Sequence, residues 1–317
     1  MQEASKVSNF FFRGLAHGVY SAPKDILGGS IYDKTALTQS AHTVIYDIYD
    51  ALLRDHPKCV TKEVIGEAHG CEIRRYTVKN YEMPNFTSTP ATPFKVAIVA
   101  AIHGYEQGSA WTLAHFFRLL LTSKDEKLAF LRRNIVFDVI PVANPWGFDH
   151  NDRKNKNEVD LNRNFAPHFC PDKEKSSAEY AGDAPESEAE TKALIKFIEE
   201  NTDAQVVIDY HNIARGNPLF YVYGQRDVDL ANAVFAALSD KWKEEYPTLP
   251  KDEILGRVRP NGGAGMFADH VLDKGLWVLT MEAPWCMPVI GSAQYDAPTI
   301  RISLDVLVNT LLAIARS

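Results

Sequence analysis

The sequence predicts an α/β fold: a single domain on a mixed, mostly parallel twisted sheet with helices on both faces. Three observations carry that expectation. Apolar runs of strand length alternate with segments of helical period along most of the 317 residues. One run, Lys95 to Ile102, is apolar at nearly every position, as in a strand covered on both sides. Hydrophobic residues make up 45% of the chain, enough for one large core.

Taken in order, residues 1–27 read as an irregular N-terminal arm and 28–317 as the main domain. From Gln39 to Leu53 the residues Ala41, Val44, Ile45, Ile48, Ala51 and Leu52 recur at helical spacing, and His56-Pro57 ends that helix. Val60–Ile65 and Glu72–Val78, set apart by Gly66 and Gly70, read as an edge hairpin. The buried strand over 95–102 leads to His103. A helix is expected from Gln107 to Thr122, a strand over Ile135–Val142, a long polar loop from Asn144 to Glu186, and a helix over Ser187–Glu200. Strand Val206–Tyr210 leads to His211, and Leu219–Tyr223 is a further strand. Helices are predicted over 228–245 and 263–273. Strand Leu276–Met281 leads to Glu282, and a helix over 299–315 follows.

Composition excludes several classes. A net charge of −7 with no basic stripe argues against nucleic-acid binding. No apolar stretch approaches the roughly 20 residues of a membrane span. The start, Met1-Gln2-Glu3 running to Phe10-Phe11-Phe12, does not match a signal peptide. Cys59, Cys71, Cys170 and Cys286 contain no C-x-x-C pair, so neither a cysteine-built zinc site nor a redox motif is signalled, and a cytoplasmic location is expected.

Open α/β sheets bind ligands beyond the carboxyl ends of their strands. His103, His211 and Glu282 all stand there, far apart in sequence but on one rim. His103-Gly104-Tyr105-Glu106 places an imidazole and a carboxylate three residues apart, on one side of a turn entering a helix. Two histidines and a carboxylate suit zinc, which in catalytic sites keeps a fourth position for water. His211 is the best-placed third ligand. A second H-x-x-E copy, His69-Gly70-Cys71-Glu72, sits in the hairpin connection and reads as a decoy. A carboxylate such as Glu282 directly after a buried strand is costly unless it faces a cleft or finds partners. From the residues alone, Arg153 is a solvated member of the run Asp152-Arg153-Lys154.

The stretch 144–165 goes further. It contains Asn144-Pro145-Trp146-Gly147 and then Arg153-Lys154-Asn155-Lys156-Asn157-Glu158-Val159-Asp160-Leu161-Asn162-Arg163-Asn164-Phe165. With the H-x-x-E pair, the distal His211, the late Glu282 and the helix start Ser187-Glu188-Ala189-Glu190-Thr191, this resembles the zinc metallocarboxypeptidases related to carboxypeptidase A. The likeness runs from about Tyr32 to the last helix.

The resemblance implies one Zn2+ per chain on His103, Glu106 and His211, with Glu282 as general base. It also implies Arg153 as oxyanion stabiliser and Asn162 and Arg163 as the grip on the substrate's terminal carboxylate. The expected partner is a peptide or peptide-like substrate with a free carboxylate. One departure stands out: a tyrosine is usual two residues before the S-G-G-like segment, here Asn261-Gly262-Gly263, and Arg259 occupies that place. Arg259 is expected on the primed side, where it would favour an acidic leaving residue. Ala264, Gly265 and Met266 bring no charge to the expected specificity pocket. The expected reaction is release of a single C-terminal amino acid. Alternatives on the same fold are a γ-D-glutamyl-diaminopimelate cell-wall amidase and an N-acyl amino acid deacylase, with an inactive peptide-binding relative as the other class.

Overall fold

The computed structural model describes residues 20–22, 41–79, 94–213, 219–238, 257–258, 265–284 and 297–315. Among them one sheet contains β1 (Val60–Ala68), β2 (Cys71–Val78), β3 (Phe94–Ala100), β4 (Ile135–Ile140), β5 (Val206–Ile213), β6 (Phe220–Val222), β7 (Arg257–Val258) and β8 (Val278–Pro284). The spatial order is β1-β2-β4-β3-β5-β8-β6-β7. The centre, β4-β3-β5-β8, is parallel, while β2 joins β4 and β6 joins β8 antiparallel. The helices are α1 (His42–Asp55), α2 (Gln107–Thr122), α3 (Glu126–Asn134), α4 (Pro145–His150), α5 (Ala189–Glu199), α6 (Gln225–Ala237), α7 (Phe267–Asp273) and α8 (Ala297–Ile314).

Strand periodicity sorts the core into two layers. Val96, Ile98 and Ala100 of β3 pack with residues of α1, α2 and α8. Ala97 and Val99, which alternate with them, pack with residues of α5 and α7. That two-sided burial is why the run over 95–102 is apolar without alternation. On α2, Trp111, Phe116 and Phe117 are fully buried, so truncating any one to Ala would cost about 3–5 kcal/mol.

Several expectations shift. β1 runs on to Ala68, and the hairpin closes through His69 (φ 56°) and Gly70 (φ 80°), the left-handed pair that a two-residue hairpin loop requires. Gly66 sits at a register shift in β1, where an added Cβ would lie 2.8 Å from the Ala193 Cβ of α5. The helix expected over 263–273 starts only at Phe267, after Gly265 at φ +70°. The helix expected from 228 starts three residues earlier, at Gln225. β8 extends past Met281, so Glu282 belongs to the ladder itself. α3 is new; its Asp125 caps the Lys127 and Leu128 amides, but nine residues gave too few apolar repeats to be seen. α4 and a 3-10 turn, Leu161–Arg163, break up the expected loop. Of the arm, residues 20–22 lie on α8: the Tyr20 amide donates to Asn309 Oδ1 (3.0 Å) and the Ala22 amide to Asp305 Oδ1 (2.6 Å). No helix among the described residues is long and apolar enough to cross a membrane.

Candidate metal centre

Beyond the end of β3, Ala101 adopts a left-handed φ of 52° and turns the chain toward α2. Gly104 lets this turn lie directly on α4, since a Cβ there would fall 2.0 Å from the carbonyl carbon of Gly147. That close approach joins His103-Gly104-Tyr105-Glu106 to Asn144-Pro145-Trp146-Gly147. The turn is closed by the Tyr105 amide donating to the Asp152 carbonyl at 2.9 Å.

At this turn the Glu106 carboxylate meets both imidazoles. His103 Nδ1 is 2.8 Å from Glu106 Oε1, and His211 Nδ1 is 2.8 Å from Glu106 Oε2. The Asn212 amide also donates to Oε2, at 3.0 Å. The three side chains are buried, and one ligating atom of each lies within 4.8 Å of the other two. The far nitrogens are tied back: His103 Nε2 is 3.1 Å from Asp160 Oδ1, and His211 Nε2 is 3.0 Å from Asp209 Oδ1. A carboxylate behind a ring favours the tautomer with the proton on Nε2, which would leave Nδ1 for the shared point.

The electrostatics match a cation site. Burial opposes charge on His211, but Asp209 and Glu106 outweigh it and hold its pKa well above the ordinary imidazole value. Burial would raise the Glu106 pKa, yet His103 and His211 hold it well below the carboxylate range. Two imidazole nitrogens and a carboxylate, each anchored from behind, fit tetrahedral zinc with a water in the fourth place.

Asp160 links this cluster to Arg153. Its Oδ1 meets His103, while its Oδ2 accepts from Arg153 Nε (3.0 Å) and Nη2 (2.7 Å). Burial opposes the charge on Asp160, but His103 and then Arg153 hold its pKa low. Arg153 Nη1 lies 3.4 Å from His103 Nδ1 and donates to the Tyr105 hydroxyl at 3.3 Å. Asn162 Nδ2 is 3.4 Å from His211 Nε2, and its Oδ1 accepts from the Phe267 amide at the start of α7 (2.8 Å). Arg163 donates to the Asn162 carbonyl (2.7 Å) and to Glu179 Oε1 (2.8 Å). Glu282 is buried and stands level with His211 on the neighbouring parallel strand.

The structure therefore brings His103, Glu106 and His211 together, joins Arg153 to them through Asp160, and sets Asn162 and Glu282 beside His211. Arg259 and Asn261-Gly262-Gly263 lie outside the described residues. The second H-x-x-E copy does not converge: His69 faces Glu190 (3.3 Å), and Glu72 pairs with Arg74 (2.7 Å). Asp160, Asp209, Asn212 and Glu179 escaped the sequence reading. For Asp209 a signal existed, a lone carboxylate inside the apolar strand 206–210, which burial disfavours unless it is paired.

Comparisons with known proteins place the chain in a family. The zinc carboxypeptidase family profile matches residues 45–259, more than half of the chain. Carboxypeptidase A4 of Mus musculus is 27% identical over 199 residues, covering 57% of this chain and 46% of that protein. The match thus spans about half the length of that relative. Murein peptide amidase A of Escherichia coli K12 is 31% identical over 198 residues, covering 59% of this chain and 70% of that protein. Among solved structures, bovine thrombin-activatable fibrinolysis inhibitor, in complex with tick carboxypeptidase inhibitor, superposes with a TM-score of 0.68 at 21% identity. That match covers 88% of this chain and 99% of the other, and shows a shared fold.

Proposed function

The chain belongs to the zinc carboxypeptidase family, and from that premise we propose that it hydrolyses the C-terminal amide bond of a peptide and releases one amino acid. The observation that carries this reading is the convergence of His103, Glu106 and His211 on one buried point. Glu282 stands level with His211 on the adjacent strand, and Arg153 is tied to the same anchor as His103.

Zinc held by His103 Nδ1, Glu106 and His211 Nδ1 would lower the pKa of its water toward ~7 and polarise the scissile carbonyl. The remaining work falls to this chain's own groups. Glu282 accepts the proton of the attacking water at its carboxylate and delivers it to the leaving nitrogen. Arg153 keeps a fixed positive charge where the carbonyl oxygen becomes negative. Its guanidinium stays protonated because Asp160, Tyr105 and Glu106 together outweigh the burial that opposes its charge. Asp160 orients two groups at once, so a shift in Arg153 is felt at His103. Arg163 offers a planar fork for the substrate's terminal carboxylate and Asn162 an adjacent amide. Arg259 is assigned to the primed side, where its charge favours an acidic leaving residue.

A second reading, cleavage of the γ-D-glutamyl-diaminopimelate bond of cell-wall peptides, is supported by the 31% identity to a murein peptide amidase. It uses the same centre and the same carboxylate grip. A mass-spectrometric screen of the zinc-loaded protein separates the two. The panel contains peptides with varied C-terminal residues, cell-wall fragments and N-acyl amino acids, each with and without chelator. Chelator-sensitive loss of one C-terminal residue from the peptides is expected. Cleavage confined to the fragments or to the acyl amino acids would move the enzyme to that substrate class. Glu282→Gln should lower turnover about 10²–10⁴-fold while zinc content stays constant. Unchanged turnover would remove Glu282 from its assigned role.

A further inference from the structure

His42, Cys71 and Asp149 form a separate cluster in which one ligating atom from each lies within 4.8 Å of the other two. They come from three elements: the first residue of α1, the first residue of β2 and the last turn of α4. The arrangement repeats features of the His103–Glu106–His211 centre. His42 Nδ1 is 2.8 Å from Asp149 Oδ2, the same imidazole-to-carboxylate contact that Glu106 makes with each of its histidines. In both clusters the carboxylate also accepts a backbone amide, here His42 N–H on Asp149 Oδ1 at 2.6 Å.

Helix capping accounts for the His42–Asp149 pair, because a carboxylate at a helix N-terminus satisfies a free amide and complements the dipole. Capping does not account for a thiol in the same place. Cys71 is partly buried and in no disulfide. A sulfur donor beside an imidazole and a carboxylate makes up a mixed donor set suited to a divalent cation. His42 is almost fully buried, whereas the Asp149 side chain is 30% exposed, which leaves an entry path and room for water.

We propose that His42, Cys71 and Asp149 constitute a second zinc site, with one imidazole, one thiolate and one carboxylate as ligands. Zinc accepts this mixed N, S and O set in tetrahedral geometry, with water as the fourth ligand. Binding displaces the Cys71 thiol proton to solvent, and the sulfur keeps its electron pair for the metal. The site clamps the hairpin, α1 and α4 together. α4 carries Gly147, the residue on which Gly104 rests, so this second ion braces the backbone behind His103. The H-x-x-E copy at 69–72 thus contributes its cysteine rather than its histidine and glutamate.

Cobalt substitution of the full chain tests this, because a thiolate ligand gives Co2+ an intense near-ultraviolet charge-transfer band and the first centre contains no sulfur. The band is expected in the native sequence, lost in Cys71→Ser and retained in His211→Ala, which disables the first centre. Zinc content should be about two equivalents per chain and fall to about one in Cys71→Ser. Zinc should also slow alkylation of Cys71, read by peptide mapping, and chelator should restore the rate. A folded native protein with one equivalent and no band would overturn the site. So would a band that survives Cys71→Ser, or alkylation of Cys71 at equal rates with and without zinc.

Discussion

Asp160 couples two parts of the centre, because one buried carboxylate serves His103 on one oxygen and Arg153 on the other. Asp160→Asn should weaken zinc binding about 10–100-fold, the usual consequence of losing a ligand's outer partner. It should also lower turnover by releasing Arg153. Competition with a chromophoric chelator reads the first effect, and unchanged affinity would sink the role. On the role proposed for Arg163, Glu179 acts in the opposite sense, since its carboxylate occupies the Arg163 guanidinium. The Glu179 side chain is 46% exposed, and such surface pairs contribute only about 0–1 kcal/mol. Glu179→Gln is therefore expected to lower KM by no more than about fivefold and to leave kcat alone. A rise in KM on peptide substrates would show that Glu179 contacts the substrate directly.

At the scale of one helix, α2 shows how burial converts to pH dependence. His115 lies in its fully buried stretch, and burial, aided by Arg118, depresses its pKa from 6.5 to about 3. Above pH 6.5 neither the folded nor the unfolded state binds this proton. As pH falls from 6.5 toward 3, only the unfolded state takes it up, so stability declines by up to about 1.4 kcal/mol per pH unit. Below about 3 both states are protonated and this contribution stops changing. His115→Leu should flatten the stability curve in that window. Denaturant melts at pH 4 and pH 7 read the difference; an equal slope in both proteins would reject the assignment.

For the whole molecule, the centre ties β5 to the turn that leaves β3, across the parallel middle of the sheet. An ion bound only by the folded state adds stability by mass action, about 4 kcal/mol at a thousandfold excess over its Kd. Calorimetry should therefore show Tm rising with free zinc and falling with chelator, while the double substitution His103→Ala/His211→Ala responds less. A Tm indifferent to zinc would mean that the described geometry does not retain the ion.

Much of this protein was legible before folding. Alternation of apolar runs with helical segments placed β3, α2, β4, β5 and α8 within a few residues, since burial on two faces leaves a pattern in the chain itself. His103, His211 and Glu282 were visible because polar residues at the ends of apolar strands stand out against that pattern, and Glu106 followed from its spacing of three after His103. The motif over 144–165 carried the family and suggested roles for Arg153, Asn162 and Arg163. Other features depend on distances that no local pattern encodes. Asp160 serves a histidine 57 residues away. Arg163 meets Glu179 through a loop, and Glu282 stands level with His211 only because β5 and β8 are neighbours. The cluster of His42, Cys71 and Asp149 is the extreme case, three residues from three elements that share nothing in sequence but meet at one corner of the sheet. Apolar burial along the chain settles which residues are inside; which polar groups then meet is decided by strand order and register, because hydrogen bonds and ion contacts act over a few ångströms whatever the separation in sequence.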